Sequence, residues 1–346
     1  MKVGVIGATG IVGQRFVHLL EEHPFFELTE LVASSRSEGK KYSNAVNHLV
    51  KPIPEKFANM EVKTYDQDLD CDLVFSALPS GAAKKIEGDL AERGFVVASN
   101  ASYHRMDEDV PLVIPEVNPK HLDLIEIQRN NRDTDGYIVT NPNCSTIQLA
   151  ISLKPLHEKY TVEGINVVTM QAISGSGYPG VASLDITDNI LPYIDGEEEK
   201  LKEEPLKLFG DVNNRKIDKE NIKVSASCNR VNVVDSHLEN VSISLKEEVG
   251  LNELKKTMSE FKGLPQELKL PTAPSDPIVV MEDPNRPQPR LDRNKENSMA
   301  TVVGRVREDP IMDFKFLVLG HNTIRGAAGA SVLNAELLYK KGLIKQ

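Results

Sequence analysis

KVGVIGATGIVGQRF, residues 2–16, decides the fold. An apolar strand over 2–7 runs into a turn carrying Gly7, Gly10 and Gly13, and a helical pattern over 11–20 follows and stops near His23-Pro24. Glycine permits the tight turn and a close backbone approach, while free amides at a helix start face a pyrophosphate. That context turns a glycine spacing into a nucleotide-binding reading, with Gly7, Thr9, Gly10, Ile11 and Val12 as its contacts. A strand-to-helix turn that binds nothing is the plainer alternative.

Outward from this loop, strands are expected at 28–33, 73–78 and 95–99, with a helix at 82–93. Strands alternating with helices imply a parallel sheet covered on both faces, a Rossmann-like α/β arrangement. After Pro142 a helix at 145–160 leads into β-rich runs at 164–173, 222–234 and 238–245, which suggests a mixed α+β second domain. Residues 196–210 form a charged helix expected to break or begin afresh at Pro205. The Pro-rich stretch 271–289 reads as a loop, and the Ala/Gly-rich helix at 326–338 is expected to return to the first domain. The division is therefore 1–143 with 327–346, and 144–326.

A chain of 346 residues with 40% apolar content supports two cores. Its formal charge of −10, with both signs interleaved, argues against nucleic acid or an anionic membrane as main partner, so an anionic ligand needs a local basic site. No apolar run is long enough to span a bilayer, and Met1 leads directly into a strand, so a cytoplasmic protein is expected. Cys71, Cys144 and Cys228 are odd in number and lack ligand spacing, which fits a reducing compartment and no bound metal.

Where the second strand ends, Ser34-Ser35-Arg36-Ser37 offers hydroxyls and a guanidinium and no acid. NAD sites usually place an acid there for the ribose hydroxyls, whereas an arginine fork suits a ribose phosphate, so NADP is expected. Arg36 as a merely solvated loop residue is the alternative. In NPNCST, residues 141–146, Cys144 sits just before a helix whose exposed amides can lower its pKa. A small buried hydrophobe is the bland reading of that cysteine. His237 is a candidate base; if it and Arg230 serve one site, a turn near 235–236 must separate them, since an unbroken strand would point them to opposite faces. His18, His23, His48, His121 and His157 read as structural hydrogen-bonding groups, the commoner fate of a histidine.

Together with SNASYHRMD (99–107), IPEVN (114–118), QAISGSGYPG (171–180), EEEK (197–200) and GHNTIRGAAG (320–329), these segments resemble aspartate-semialdehyde dehydrogenases of the archaeal and fungal branch over nearly the whole chain. The resemblance implies a second domain of the glyceraldehyde-3-phosphate dehydrogenase-like type, used for substrate binding and dimerisation. It implies Cys144 as nucleophile, His237 as general base and acid, and Gln171 as the group orienting the intermediate. Arg230 is to clamp the substrate carboxylate, Arg105 and Lys200 to bind phosphate, and Glu197 to hold the amino group. Asn100, Ser174 and Gly175 join the substrate site; Leu78, Pro79, Gly81 and Asn322 join Ser34 to Ser37 on the cofactor. The reaction implied is NADP-dependent reductive dephosphorylation of aspartyl 4-phosphate to the semialdehyde, toward lysine, threonine and methionine, by a homodimer or homotetramer with inorganic phosphate as co-product. A malonyl- or succinyl-CoA reductase has a similar scaffold and is the rival; a non-catalytic nucleotide-binding regulator is the rival of another class.

Overall fold

A computed structural model describes residues 1–213 and 215–344. Six parallel strands form the first sheet: β1 Lys2–Ile6, β2 Glu27–Val32, β3 Val62–Lys63, β4 Leu73–Ser76, β5 Val96–Ser99 and β6 Tyr137–Thr140, in the order 3-2-1-4-5-6. This is the expected Rossmann-like sheet. Strands LVFS and VVAS, and YIVT at the edge beside them, are buried at every position, as strands covered on both faces must be. The order reverses beside β1, which pairs with β2 on one side and β4 on the other, so a crevice opens at the carboxyl ends of β1 and β4. Helix Ile11–Leu19 rises from that crevice, and a Cβ on Gly13 would lie 2.1 Å from the Gly7 carbonyl oxygen, so only glycine allows the loop and helix to close up.

Val332, Leu333, Leu337 and Leu338 of helix Gly329–Lys340 pack in one cluster with Val3, Val5, Phe16 and Phe75. The terminal helix therefore does return to the first sheet. A short π-type turn, Ile324–Ala328, precedes it.

The second sheet is mixed. After β7 Val162–Gln171 comes a small antiparallel ribbon, β8 Asp211–Asn213 with β9 Lys216–Asp218. Then follow β10 Lys223–Arg230, β11 His237–Leu245, β12 Ile278–Met281, β13 Thr301–Glu308 and β14 Phe314–Gly320, giving the sheet order 10-7-11-14-13-12. Helix Cys144–Tyr160 covers it, with Ile147, Leu149, Ile151 and Leu153 in the same core as Val167, Val241 and Phe316.

Two expectations fail here. Helix Glu197–Phe209 runs unbroken through Pro205, because buried Leu201, Glu204, Lys207, Leu208 and Phe209 anchor it on both sides of the missing amide bond. Residues 278–281, IVVM, form a strand inside the Pro-rich stretch; it lies at the sheet edge, where flanking prolines are tolerated. Strands β6, β13 and β14 had no place in the sequence reading.

The two halves are tied by a buried ion pair. Arg325 in the π-type turn approaches Glu116 in the connection after β5 to 2.7 Å, with the side chains 2% and 0% exposed and the donors not aligned as hydrogen bonds. Removing one partner of such a pair strands a charge in low dielectric. Arg325→Ala is expected to destabilise the fold by about 3–5 kcal/mol, read as a shift of the denaturant midpoint.

Candidate functional site

Register gathers the site. Arg230 and Gln171 end the neighbouring parallel strands β10 and β7, opposite one another, and β11 beside them begins at His237. The chain between Arg230 and His237 turns as required, with Ser236 at φ +87° and its amide donating to Asn322 Oδ1 at 2.8 Å. Asn322 Nδ2 donates in turn to Ser174 Oγ at 2.9 Å.

Cys144 is the first residue of its helix, one earlier than expected, and Asn143 caps it by accepting from the Ser145 amide at 2.9 Å. Cys144 Sγ lies 3.1 Å from His237 Nε2. A Cβ on Gly326 would sit 2.7 Å from Cys144 Cβ, so a glycine is required for the π-type turn to pass behind the thiol. His237 is fully buried behind the sulfur. Its Nδ1 accepts from the Ala172 amide at 2.9 Å, which puts the proton of the neutral ring on Nε2, facing Sγ. Gln148 Nε2 fixes the strand below by donating to the His237 carbonyl at 3.0 Å and to Glu239 Oε1 at 2.7 Å.

Burial pushes the His237 imidazole down to about 3, with Arg230 adding to the effect. Burial likewise pushes the Cys144 thiol up to about 12, helped by Glu197 and opposed by Arg105, Arg230 and Lys200. The expectation that the helix start leaves a depressed thiol is therefore corrected: desolvation outweighs the amides, and the resting pair is a neutral thiol beside a neutral imidazole.

Glu197 settles the register of its acidic run. Its Oε1 accepts from Lys200 Nζ at 2.7 Å, and its Oε2 accepts from Asn143 Nδ2 at 2.8 Å and Gln171 Nε2 at 3.2 Å. Although burial opposes ionisation, Lys200 and these donors hold its carboxyl below the usual range. Glu198 instead accepts from the Cys228 amide, and Glu199 is exposed. Arg230 Nη1 donates to the Ala172 carbonyl at 2.8 Å, and Arg105 Nη2 to the Asn100 carbonyl at 2.7 Å.

A cleft of 1180 Å³ joins this cluster to the first sheet. Gly7, Thr9, Gly10, Ile11 and Val12 line it, as do Ser34, Ser35, Leu78 and Pro79; at its other end stand Asn100, Arg105, Cys144, Gln171, Ser174, Gly175, Glu197, Lys200, Arg230 and Asn322. Arg36, Ser37 and Gly81 are absent from the lining, and Arg36 is exposed. Glu38 lines the cleft with Oε1 accepting from Gln67 Nε2 at 2.9 Å. An acid does stand at that end, one residue beyond the stretch that sequence reading weighed. His48 and Tyr178 stack face to face across the cleft, ring centroids 4.0 Å apart. His23 bonds Glu336 and His121 bonds the Gly210 carbonyl, structural roles as expected. Among the described residues no His, Cys, Asp and Glu cluster could hold a metal ion, and no helix is long and apolar enough to cross a membrane.

Sequence reading missed Glu204 and Lys207. Both are buried, and with Glu197 and Lys200 they recur at the 3-4-3 spacing of one helical face, the signal that could have found them.

Residues 2–125 match the semialdehyde dehydrogenase NAD-binding domain, and 153–325 match the semialdehyde dehydrogenase dimerisation domain. The chain is 55% identical to an aspartate-semialdehyde dehydrogenase of Archaeoglobus fulgidus over 99% of both chains. It is 43% identical to a malonyl CoA reductase (NADP) of Metallosphaera sedula over 99% of this chain and 98% of that one. The Candida albicans aspartate semialdehyde dehydrogenase crystallised with NADP superposes with a TM-score of 0.91 at 43% identity, covering 99% of both chains.

With the thiol held up, the thiolate fraction climbs about tenfold per pH unit below the pKa. Iodoacetamide is therefore expected to modify Cys144 of the ligand-free protein slowly at neutral pH and progressively faster to pH 9, as followed by mass spectrometry; a rate already flat above pH 6 would contradict the neutral resting pair.

Proposed function

Because the chain belongs to the semialdehyde dehydrogenase family, we propose that it catalyses the NADP-dependent reductive dephosphorylation of L-aspartyl 4-phosphate to L-aspartate 4-semialdehyde. The observation that carries this reading is a charge pattern around a thiol. Cys144 Sγ touches His237 at the end of the cleft where Arg105, Lys200 and Arg230 stand together with the ionised carboxylate of Glu197. Aspartyl phosphate offers the complement: phosphate and carboxylate for the cations, an ammonium for Glu197.

Cys144 sulfur attacks the acyl carbon, its proton leaving with the displaced phosphate, which Arg105 and Lys200 receive, and a thioester remains. Arg230 holds the substrate carboxylate by its guanidinium fork, and Gln171 orients the acyl group. NADPH, the reduced form of the cofactor, supplies the hydride when bound. The Nε2 proton of His237 is aimed at the sulfur, where it favours the charged form of the thiol and of the neighbouring oxygen. Loss of the thiol bond then releases the semialdehyde. Gly10 makes no side-chain cap, so the first-turn amides of helix Ile11–Leu19 remain free for a pyrophosphate. Ser34 and Ser35 provide the hydroxyls at the adenosine end, and Asn322 the nicotinamide end, adjoining Cys144.

A malonyl or succinyl thioester has no amino group to meet Glu197, which disfavours the CoA reductase reading despite the likeness. The division is 1–143 with 327–346 for nucleotide, and 144–326 for catalysis and assembly. A cytoplasmic homodimer or homotetramer is the expected form, with exposed Leu184, Ile190 and Tyr193 as apolar contact groups.

Aspartate semialdehyde and phosphate are expected to reduce NADP in the reverse assay, and Cys144→Ala to lower kcat by about 10³-fold or more. Activity with malonyl-CoA and none with the semialdehyde would transfer the assignment to the rival. A kcat/KM for NAD equal to that for NADP, measured on the same preparation, would remove the cofactor preference.

A further inference from the structure

The cleft-facing side of helix Glu197–Phe209 continues past the substrate groups. Glu204 is 2% exposed and uses both carboxylate oxygens: Oε1 accepts from Arg105 Nη1 at 2.9 Å, and Oε2 accepts from the Asn143 amide at 2.6 Å. One turn on, Lys207 is 4% exposed, and its Nζ donates to the carbonyls of Arg105, Asp107 and Val110 at 2.7, 2.8 and 3.0 Å. Arg105 thus has one terminal nitrogen on Glu204 and the other on the Asn100 carbonyl, while its buried Nε has no protein partner and the side chain borders the cleft.

We infer that Glu204 is a positioning residue: it locks the Arg105 guanidinium to the backbone amide ahead of Cys144, so that the phosphate-binding edge and the head of the nucleophile helix keep one fixed relation. The inference rests on the function proposed above. An ionised carboxylate suits the place because both of its neighbours are donors, and a charge-assisted bond to a planar guanidinium fixes direction as well as distance. Glutamine has nearly the same shape but turns one of its two ends into a donor. It can satisfy Arg105 or the Asn143 amide and must face the other with N–H against N–H.

The phosphate step and the acylation step separate the inference from a general packing role. In the reverse direction acylation of Cys144 needs no phosphate and registers as a burst of NADPH, whereas release of the thioester needs phosphate aligned by Arg105. Glu204→Gln is expected to raise the KM for phosphate about tenfold or more, as loss of one hydrogen bond to a charged group does, while the burst amplitude and the KM for semialdehyde stay within about twofold. Glu204→Asp, which keeps the charge but not the reach, should fall between. An unchanged phosphate KM, or equal losses in burst and phosphate step, overturns the role. If the glutamine variant does not fold, the cycle of Glu204→Asp with Arg105→Lys decides: coupled effects on the phosphate KM support it, and strict additivity overturns it. A wild-type protein that gives no burst with semialdehyde and NADP contradicts instead the function on which the inference rests.

Discussion

Everything in the site depends on one contact between distant parts of the chain, Cys144 Sγ against His237 Nε2. Neither residue can be moved alone. His237 sits opposite Gly320 in the ladder of β11 and β14, and a Cβ on Gly320 would lie 2.0 Å from Gln148 Oε1, the side chain that grips the His237 carbonyl. A one-residue slip in that ladder would carry the imidazole to the opposite face of the sheet. Gln148 belongs to the helix that starts at Cys144, so the same helix presents the thiol and fixes the strand bearing its partner.

The rest of the cleft is electrostatic. The chain carries a formal charge of −10, yet one end of its cleft collects buried Arg105 and Arg230 with half-buried Lys200. Charges buried this far persist only when paired or hydrogen-bonded. Helix Glu197–Phe209 supplies that pairing from one face: Glu197 for Lys200 and Asn143, Glu204 for Arg105. The cations are consequently aimed before any ligand arrives, and less ordering remains to be done on binding.

The first half of the chain was the more legible. Glycine spacing after an apolar strand carries its own geometry, and β1, the first helix, β2 and β4 stand close to where the pattern put them. Other strands fared worse: YIVT at 137–140 pairs with β5 and β14 pairs with β11, neighbours far away in sequence that local pattern does not record. Among site residues, Cys144 was picked out by its place before a helix, while Arg105, Glu197, Lys200 and Arg230 came from the resemblance alone; all five line one cleft, with His237 behind the sulfur. Sequence pattern fell short where the outcome turned on folding: Glu38 entered the cleft unannounced, and the thiol is raised by burial that no sequence window contains.

The packing of residues 329–340 against β1 has a consequence for synthesis. Val3 and Val5 are made long before the Val332, Leu333 and Leu337 side chains that complete their core. Small domains commonly fold as units while translation proceeds. Here the nucleotide sheet must wait with one apolar wall open until residues 329–340 have emerged, so the second sheet, although later in sequence, has all its own strands in hand before the first is sealed.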